Sequence, residues 1–277
     1  MDPRFSQFPR DLASRARTVR LGEVPVLLAH PDWTSAAPVV VWLHGRTANK
    51  ELDPGRYLRW IRAGIAACAI DLPGHGERAV PAMQKAEATL EVIERALDEL
   101  PRVLDGLAGP DHRGYFDLSR AALGGMSLGG MVTLRRLCDP HPFRSCAVEA
   151  TCGWLEGLYF PKPDGPRPGA RWLVDHDPER VRTLDPAAHL STFAPVPLLA
   201  LHSESDRLIP AATQREFIRR LRERYAAAGA GPDLIQFTTW PETGAPQEHV
   251  GFGRFSNDAK NIQTEFLART LGARSAF

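Results

Sequence analysis

Ala121-Ala122-Leu123-Gly124-Gly125-Met126-Ser127-Leu128-Gly129-Gly130 is the stretch on which the fold turns. A short apolar run, Ala121-Ala122-Leu123, leads into a G-x-S-x-G pattern, and the residues beyond it, Gly130 to Leu137, read as a helix. A strand that ends in a sharp turn and feeds a helix holds the serine in a strained backbone conformation with its Oγ exposed. Glycines are needed on either side because a side chain there would strike the neighbouring strand and helix. The helix N-terminus then directs positive partial charge at Ser127 and at any oxyanion formed beside it.

The same rhythm extends in both directions. Val39-Val40-Val41-Trp42-Leu43, Ile65 to Ile70, Ser145 to Ala150, Val196 to Leu201 and Leu234 to Trp240 are apolar, strand-like runs, several continuous enough for strands buried on both faces. Thr18–Leu21 and Val24–Ala29 read as two short antiparallel strands turning at Gly22. Helices are expected at 55–64, at 85–107 with Pro101 as a point of kinking or splitting, at 211–228 and at 258–271. Strands that alternate with helices predict an α/β fold, a mostly parallel sheet of about eight strands covered on both faces. The rhythm breaks between about 151 and 194, where Pro161, Pro163, Pro166, Pro168 and helical fragments near Gly169–Val174 and Pro178–Arg182 predict a cap-like insertion within one domain spanning 1–277.

Composition narrows the possibilities. The 277 residues are 43% hydrophobic, enough for one large domain with a sizeable core. Thirty-four basic and 33 acidic groups leave a net charge of +1, which points to neither nucleic acid nor an anionic membrane as partner. The start of the chain has no apolar segment of signal-peptide type, and no stretch has the length of a membrane span. Cys68, Cys138, Cys146 and Cys152 form no C-x-x-C pair and read as reduced, buried thiols of a cytoplasmic protein. No metal or cofactor is implied, and either a monomer or a homodimer is compatible with the chain.

Acyl transfer through a hydroxyl needs a base, an acid that orients it, and donors for the oxyanion. In an open α/β sheet these sit in loops after the strands. Asp206 follows the strand ending near Leu201, with Glu204 as its competitor; His249 follows the last strand and is the only histidine after the acid. The order Ser127, Asp206, His249 matches one of the known triad orders. The backbone amides of Leu128 and Arg46 are the expected oxyanion donors, with His44 a packing residue beneath that loop. Trp154, Leu158, Tyr159, Phe160 and Trp172 either line an acyl pocket or pack the insertion onto the domain. His75 is a further candidate for the site, beside the reading in which it and Arg78 hold their own loop.

Taken together, His44-Gly45, Asp71-x-Pro73-Gly74-His75-Gly76, Gly125-x-Ser127-x-Gly129-Gly130, Asp206-Arg207-x-x-Pro210 and His249 resemble the α/β-hydrolase superfamily. Within it the chain is similar to the branch of small bacterial serine esterases, dienelactone-hydrolase-like proteins and prolyl oligopeptidase catalytic domains. His44-Gly45-Arg46-Thr47-Ala48-Asn49-Lys50-Glu51 resembles the His-Gly-Phe-Thr-x-x-Lys-Glu stretch of those esterases, with Arg46 where an aromatic is common. Dienelactone hydrolases proper use a cysteine where this chain has Ser127, and prolyl oligopeptidases carry a propeller for which this chain has no room. The resemblance implies a serine hydrolase acting on a small-molecule carboxylic ester of short to medium acyl chain through an acyl-enzyme on Ser127. A peptidase, a thioesterase or a lactonase on the same scaffold stays open, as does a non-catalytic binding protein.

Overall fold

The computed structural model describes residues 7–163 and 174–273. Its centre is a set of strands with apolar side chains on both faces: β3 (Ala37–Leu43), β4 (Ala66–Ile70), β6 (Ser145–Glu149) and β7 (Leu198–Ser203) are buried along their whole lengths. Successive side chains of a strand point to opposite faces. Accordingly Val39, Val41 and Leu43 of β3 enter one hydrophobic core while Val40 and Trp42 enter the other. With β1 (Ala16–Leu21), β2 (Val24–Ala29), β5 (Phe116–Met126) and β8 (Ile235–Trp240) they form an eight-stranded sheet of order β1-β2-β4-β3-β5-β6-β7-β8. β2 is antiparallel to both neighbours, and every pairing from β4 across to β8 is parallel. β1 and β2 are joined at Gly22-Glu23, both at positive φ (51° and 71°), the backbone that matches the twist of a tight hairpin.

Helices cover both faces. α1 (Arg10–Ala13), α2 (Pro54–Arg62) and α8 (Ser256–Leu271) place Leu12, Tyr57, Trp60, Phe266 and Leu267 in one core. α3 (Thr89–Ala108), α4 (Leu128–Arg136) and α7 (Ala211–Ala227) place Leu90, Ile93, Leu100, Met131, Val132 and Phe217 in the other. Between β6 and β7, among the described residues, lie α5 (Leu155–Tyr159), α6 (Pro178–Leu184) and a 3-10 turn at Pro186–His189. Leu155, Leu158, Val181 and Leu184 belong to the same core as α3 and α4. The fragment expected over Gly169–Val174 lies, save for Val174, outside the described residues, and so does Trp172.

Three boundaries depart from expectation. The helix expected from Lys85 begins at Thr89, because residues 86–88 form a separate 3-10 turn. Pro101 does not split it. One backbone hydrogen bond is forfeited there, but Leu100, Val103 and Leu107 on either side of it are fully packed and hold the helix together. β5 starts five residues before Ala121. Its pairing with β3 jumps from Pro38–Asp117 to Val39–Ala121, and the extra residues are tied by Asp117, which accepts from the Ser119 amide and hydroxyl and from Arg120 Nε. That polar knot carries no apolar alternation. Among the described residues no helix is long and apolar enough to cross a membrane, and all four cysteines are buried and free.

Candidate active site

Parallel pairing puts the ends of β3, β5, β6, β7 and β8 along one edge of the sheet, and the chemistry-bearing loops leave from there. Ser127 is the single residue between β5 and α4, at φ 52° and ψ −116°. A non-glycine residue there is strained by about 1–3 kcal/mol and persists only if its surroundings over-determine it. They do: the Ser127 amide donates to the Glu149 carbonyl at 2.9 Å, and the Thr151 hydroxyl donates to the Ser127 carbonyl at 2.7 Å. At Gly129 a Cβ would overlap the Leu43 carbonyl, so only glycine lets α4 approach β3 this closely.

Ser127 Oγ lies 2.9 Å from His249 Nε2, and His249 Nδ1 lies 2.7 Å from Asp206 Oδ2. A carboxylate only accepts, so Nδ1 carries the proton and Nε2 is left to accept from the serine hydroxyl. All three side chains are buried, at 3–7% exposure. Asp206 Oδ1 accepts from the amides of Leu208 (2.8 Å) and Ile209 (2.9 Å). Burial raises the Asp206 pKa, but hydrogen bonds from His202 and His249 outweigh it and hold the carboxyl down at about 2. Glu204, the competing acid, instead faces outward and pairs with Arg215 at 2.6 Å.

The loop carrying His249 is held in an unusual shape. Gln247, Glu248 and Phe252 all have positive φ (57°, 53° and 60°). The Glu248 carboxylate accepts from the Thr243 amide (2.6 Å) and hydroxyl (2.8 Å), the Gly244 amide (2.7 Å) and the Ser203 hydroxyl (2.9 Å). Those bonds, the Thr243 amide first, lower its pKa to about 2. The Arg207 amide donates to the Gln247 carbonyl at 3.0 Å and so joins the acid loop to the base loop. Sequence reasoning passed over Glu248 as a neighbour of the base. Its partners lie within five residues except Ser203, and a carboxylate beside Thr243-Gly244 was the available signal.

Arg46 and Ser127 line one cleft of about 470 Å³, and Leu128 is the first residue of α4, where the amides of a helix lack intrahelical partners. The Arg46 guanidinium turns to the Lys85 carbonyl and the Thr89 hydroxyl, which straps the loop after β3 to the start of α3. Beneath it His44 is committed at both nitrogens. Nε2 accepts from the Leu72 amide at 3.0 Å, so Nδ1 donates to the Gly45 carbonyl at 2.7 Å, and burial lowers its pKa to about 4. The adjoining 71–78 loop is built on buried Lys50, whose Nζ lies 2.8 Å from Asp71 and 2.7 Å from Glu77.

The remaining walls of the cleft come from Thr47, Ala48, Leu52, Gln84, Ala86, Met126, Leu208 and Val250, with His249 at its floor. The residues expected to bind substrate do not line it. Trp154 lies under Arg220, whose guanidinium carbon is 4.4 Å from the indole. Tyr159 is buried edge-on against His176 at 4.5 Å, and burial pushes its phenol up to about 12. His75 is fully buried, lies tilted against His44 with ring centres 5.4 Å apart and takes its Nδ1 to the Pro73 carbonyl at 2.8 Å. Large aromatic surfaces gain more by joining the core than by facing a water-filled cleft. Among the described residues no group of three or more His, Cys, Asp or Glu side chains is placed to hold a metal ion.

Residues 94–274 match the prolyl oligopeptidase family. The fold is shared with the Thermus thermophilus protein TT1662, at 23% identity and a TM-score of 0.69 over 94% of this chain and 100% of that one. It is also shared with a Mycobacterium tuberculosis puromycin-hydrolyzing peptidase (19%, TM-score 0.67, 95% of this chain) and with a Pyrococcus horikoshii acylaminoacyl peptidase (18%, TM-score 0.69, 92% of this chain). The chain spans 40% and 41% of the length of those two peptidases. No curated protein is significantly similar to it in sequence. With that match over most of its length, and with an α/β-hydrolase sheet, the chain belongs to the prolyl oligopeptidase family of serine hydrolases.

Proposed function

We propose that the chain hydrolyses carboxylic esters of short to medium acyl chain through an acyl-enzyme on Ser127. Ser127 Oγ attacks the ester carbon while His249 Nε2, 2.9 Å away, takes its proton. Asp206, 2.7 Å from Nδ1, orients the imidazole and stabilises the imidazolium that forms. The amides of Arg46 and Leu128 donate to the tetrahedral oxyanion. His249 then returns the proton to the departing alcohol, and water, activated by the same imidazole, releases the acid. His75, Trp154 and Tyr159 have no contact with substrate in this reading and serve as packing.

The observation that carries the choice of ester is the cleft above Ser127. Its walls are mainly apolar, and among the described residues no carboxylate lines it. A peptidase that captures a free amino terminus needs an acid there. The family match favours a second reading, cleavage of aminoacyl or short peptide bonds, since neighbours of this fold include an acylaminoacyl peptidase and a puromycin-hydrolyzing peptidase. Steady-state hydrolysis of p-nitrophenyl esters from acetate to palmitate, beside aminoacyl p-nitroanilides, separates the two. The expected result is a kcat/KM maximum at short to medium esters and a loss of roughly 10⁴ or more in Ser127→Ala. Anilides turned over faster than every ester would replace the ester reading by the peptidase one. Substantial turnover by Ser127→Ala would remove Ser127 from the chemistry altogether.

A further inference from the structure

We infer that His202 is a positioning residue for the Asp206–His249 pair, so that the array beneath Ser127 has four members. The inference rests on the hydrolase reading above. His202 is near the end of β7, four residues before Asp206, and is 1% exposed. Its Nε2 lies 2.8 Å from the Ile209 carbonyl and 3.3 Å from Asp206 Oδ2. Both partners only accept, so Nε2 carries the proton; it donates to the Ile209 carbonyl and sets its positive edge beside Asp206 Oδ2.

Asp206 is thereby closed on every side. Oδ1 takes the amides of Leu208 and Ile209, and Oδ2 takes His249, with His202 Nε2 3.3 Å away. With His202 removed, Oδ2 keeps one partner, and the Ile209 carbonyl loses the side-chain donor that ties the acid loop to β7. The carboxylate is then freer to rotate away from His249.

Packing alone does not account for an imidazole at this position. His202 Nδ1 is buried with no hydrogen-bond partner, which is a cost that an apolar side chain of the same size would avoid. The ring is kept in spite of that orphaned nitrogen, and the donor at Nε2 is what it supplies. His202 is not among the residues that line the cleft. It acts through Asp206: the Nε2–H dipole 3.3 Å from Oδ2 favours the ionised carboxylate, and its bond to the Ile209 carbonyl holds the acid loop in place, so that His249 is kept in the tautomer with Nε2 open to the serine hydroxyl.

The test compares wild type, His202→Phe and His202→Gln on p-nitrophenyl acetate, with thermal unfolding measured for each. Phe keeps the bulk and loses the donor; Gln restores an N–H near the position of Nε2. His202→Phe is expected to lower kcat about tenfold at nearly constant KM. It should also weaken the far-downfield proton resonance of the His249–Asp206 hydrogen bond, and His202→Gln should recover most of both. A His202→Phe enzyme with wild-type kcat and an unaltered downfield proton overturns the inference. So does a Gln variant impaired as much as Phe. The wild type supplies a check that needs no variant: histidine ¹⁵N spectra should place the His202 proton on Nε2, and a proton on Nδ1 overturns the assignment. If wild type neither turns over the ester nor is labelled at Ser127 by a fluorophosphonate, the hydrolase reading itself falls, whereas the tautomer still judges on its own whether His202 presents Nε2–H to the acid loop.

Discussion

Asp206 concentrates the residue-scale physics of this molecule. It is buried, which by itself favours the neutral acid, yet its pKa falls from the ordinary 3.8 to about 2 because its interactions with His202 and His249 outweigh burial. The sign follows from that direction. A carboxyl with a depressed folded-state pKa contributes stability that is complete above 3.8 and is lost as pH falls toward about 2. Acid titration of stability is therefore expected to show a falling limb in that window for wild type and a shallower one for Asp206→Asn. The same variant presents an amide where His249 Nδ1–H needs an acceptor, and kcat is expected to drop by about 10⁴, with the fold retained at neutral pH. Equal acid limbs in the two proteins would mean that other groups dominate acid unfolding. At Gly129 the constraint is steric. A methyl group would meet the backbone of Leu43 and His44, which has no freedom to move aside. Gly129→Ala is expected to yield little folded protein, measured as the soluble fraction and far-ultraviolet circular dichroism.

At the scale of elements, the turn that holds Ser127 depends on β6. Glu149, the last residue of β6, accepts the Ser127 amide through its carbonyl while its side chain reaches to the opposite face of the sheet. There it meets Arg56 of α2 in a two-bond pair (2.7 and 2.8 Å), with Gln263 of α8 bonded to both partners and the guanidinium 4.3 Å from the Trp42 ring. One buried pair thus joins two helices to the strand that positions Ser127. Removing only one partner leaves a buried charge uncompensated, which costs about 3–5 kcal/mol. Glu149→Ala is expected to show that loss in urea unfolding. The double replacement Arg56→Met with Glu149→Leu is expected to recover much of it, because an apolar pair needs no compensation. A double variant as unstable as the single one would mean that the network acts through geometry and not through charge.

For the whole molecule, the sheet is the shared wall of two cores, one built on α1, α2 and α8 and the other on α3, α4 and α7 with the segment between β6 and β7. Every central strand contributes to both, so neither core can be lost without exposing the back of the other. Urea unfolding followed by tryptophan fluorescence and by circular dichroism is expected to give coincident transitions. Trp42 and Trp60 report one face and Trp154 the other. Separate midpoints would show that the 151–194 segment unfolds on its own.

The local half of this description was readable along the chain. Apolar runs of strand length, helical spacing, the glycines around Ser127 and the Gly22 turn act over a few residues, so they place the elements and the serine turn before any tertiary contact exists. Residues far apart in sequence needed the folded molecule. Asp206 was separated from Glu204 only by which carboxyl β7 aims at His249 and which at Arg215. Trp154, Tyr159 and His75 were legible as aromatic groups near a site, but whether such a group faces a cleft or a core depends on which surface arrives against it. His202 carries no signal of its own in the sequence and Glu248 only its nearness to Thr243-Gly244, and their contacts to Asp206, Ile209, Thr243 and Ser203 form only when loops brought together by the sheet close on one another. Short-range sterics and periodicity are written residue by residue, whereas the direction of a side chain is settled by packing against partners as distant as His249 is from Ser127, 122 positions along the chain.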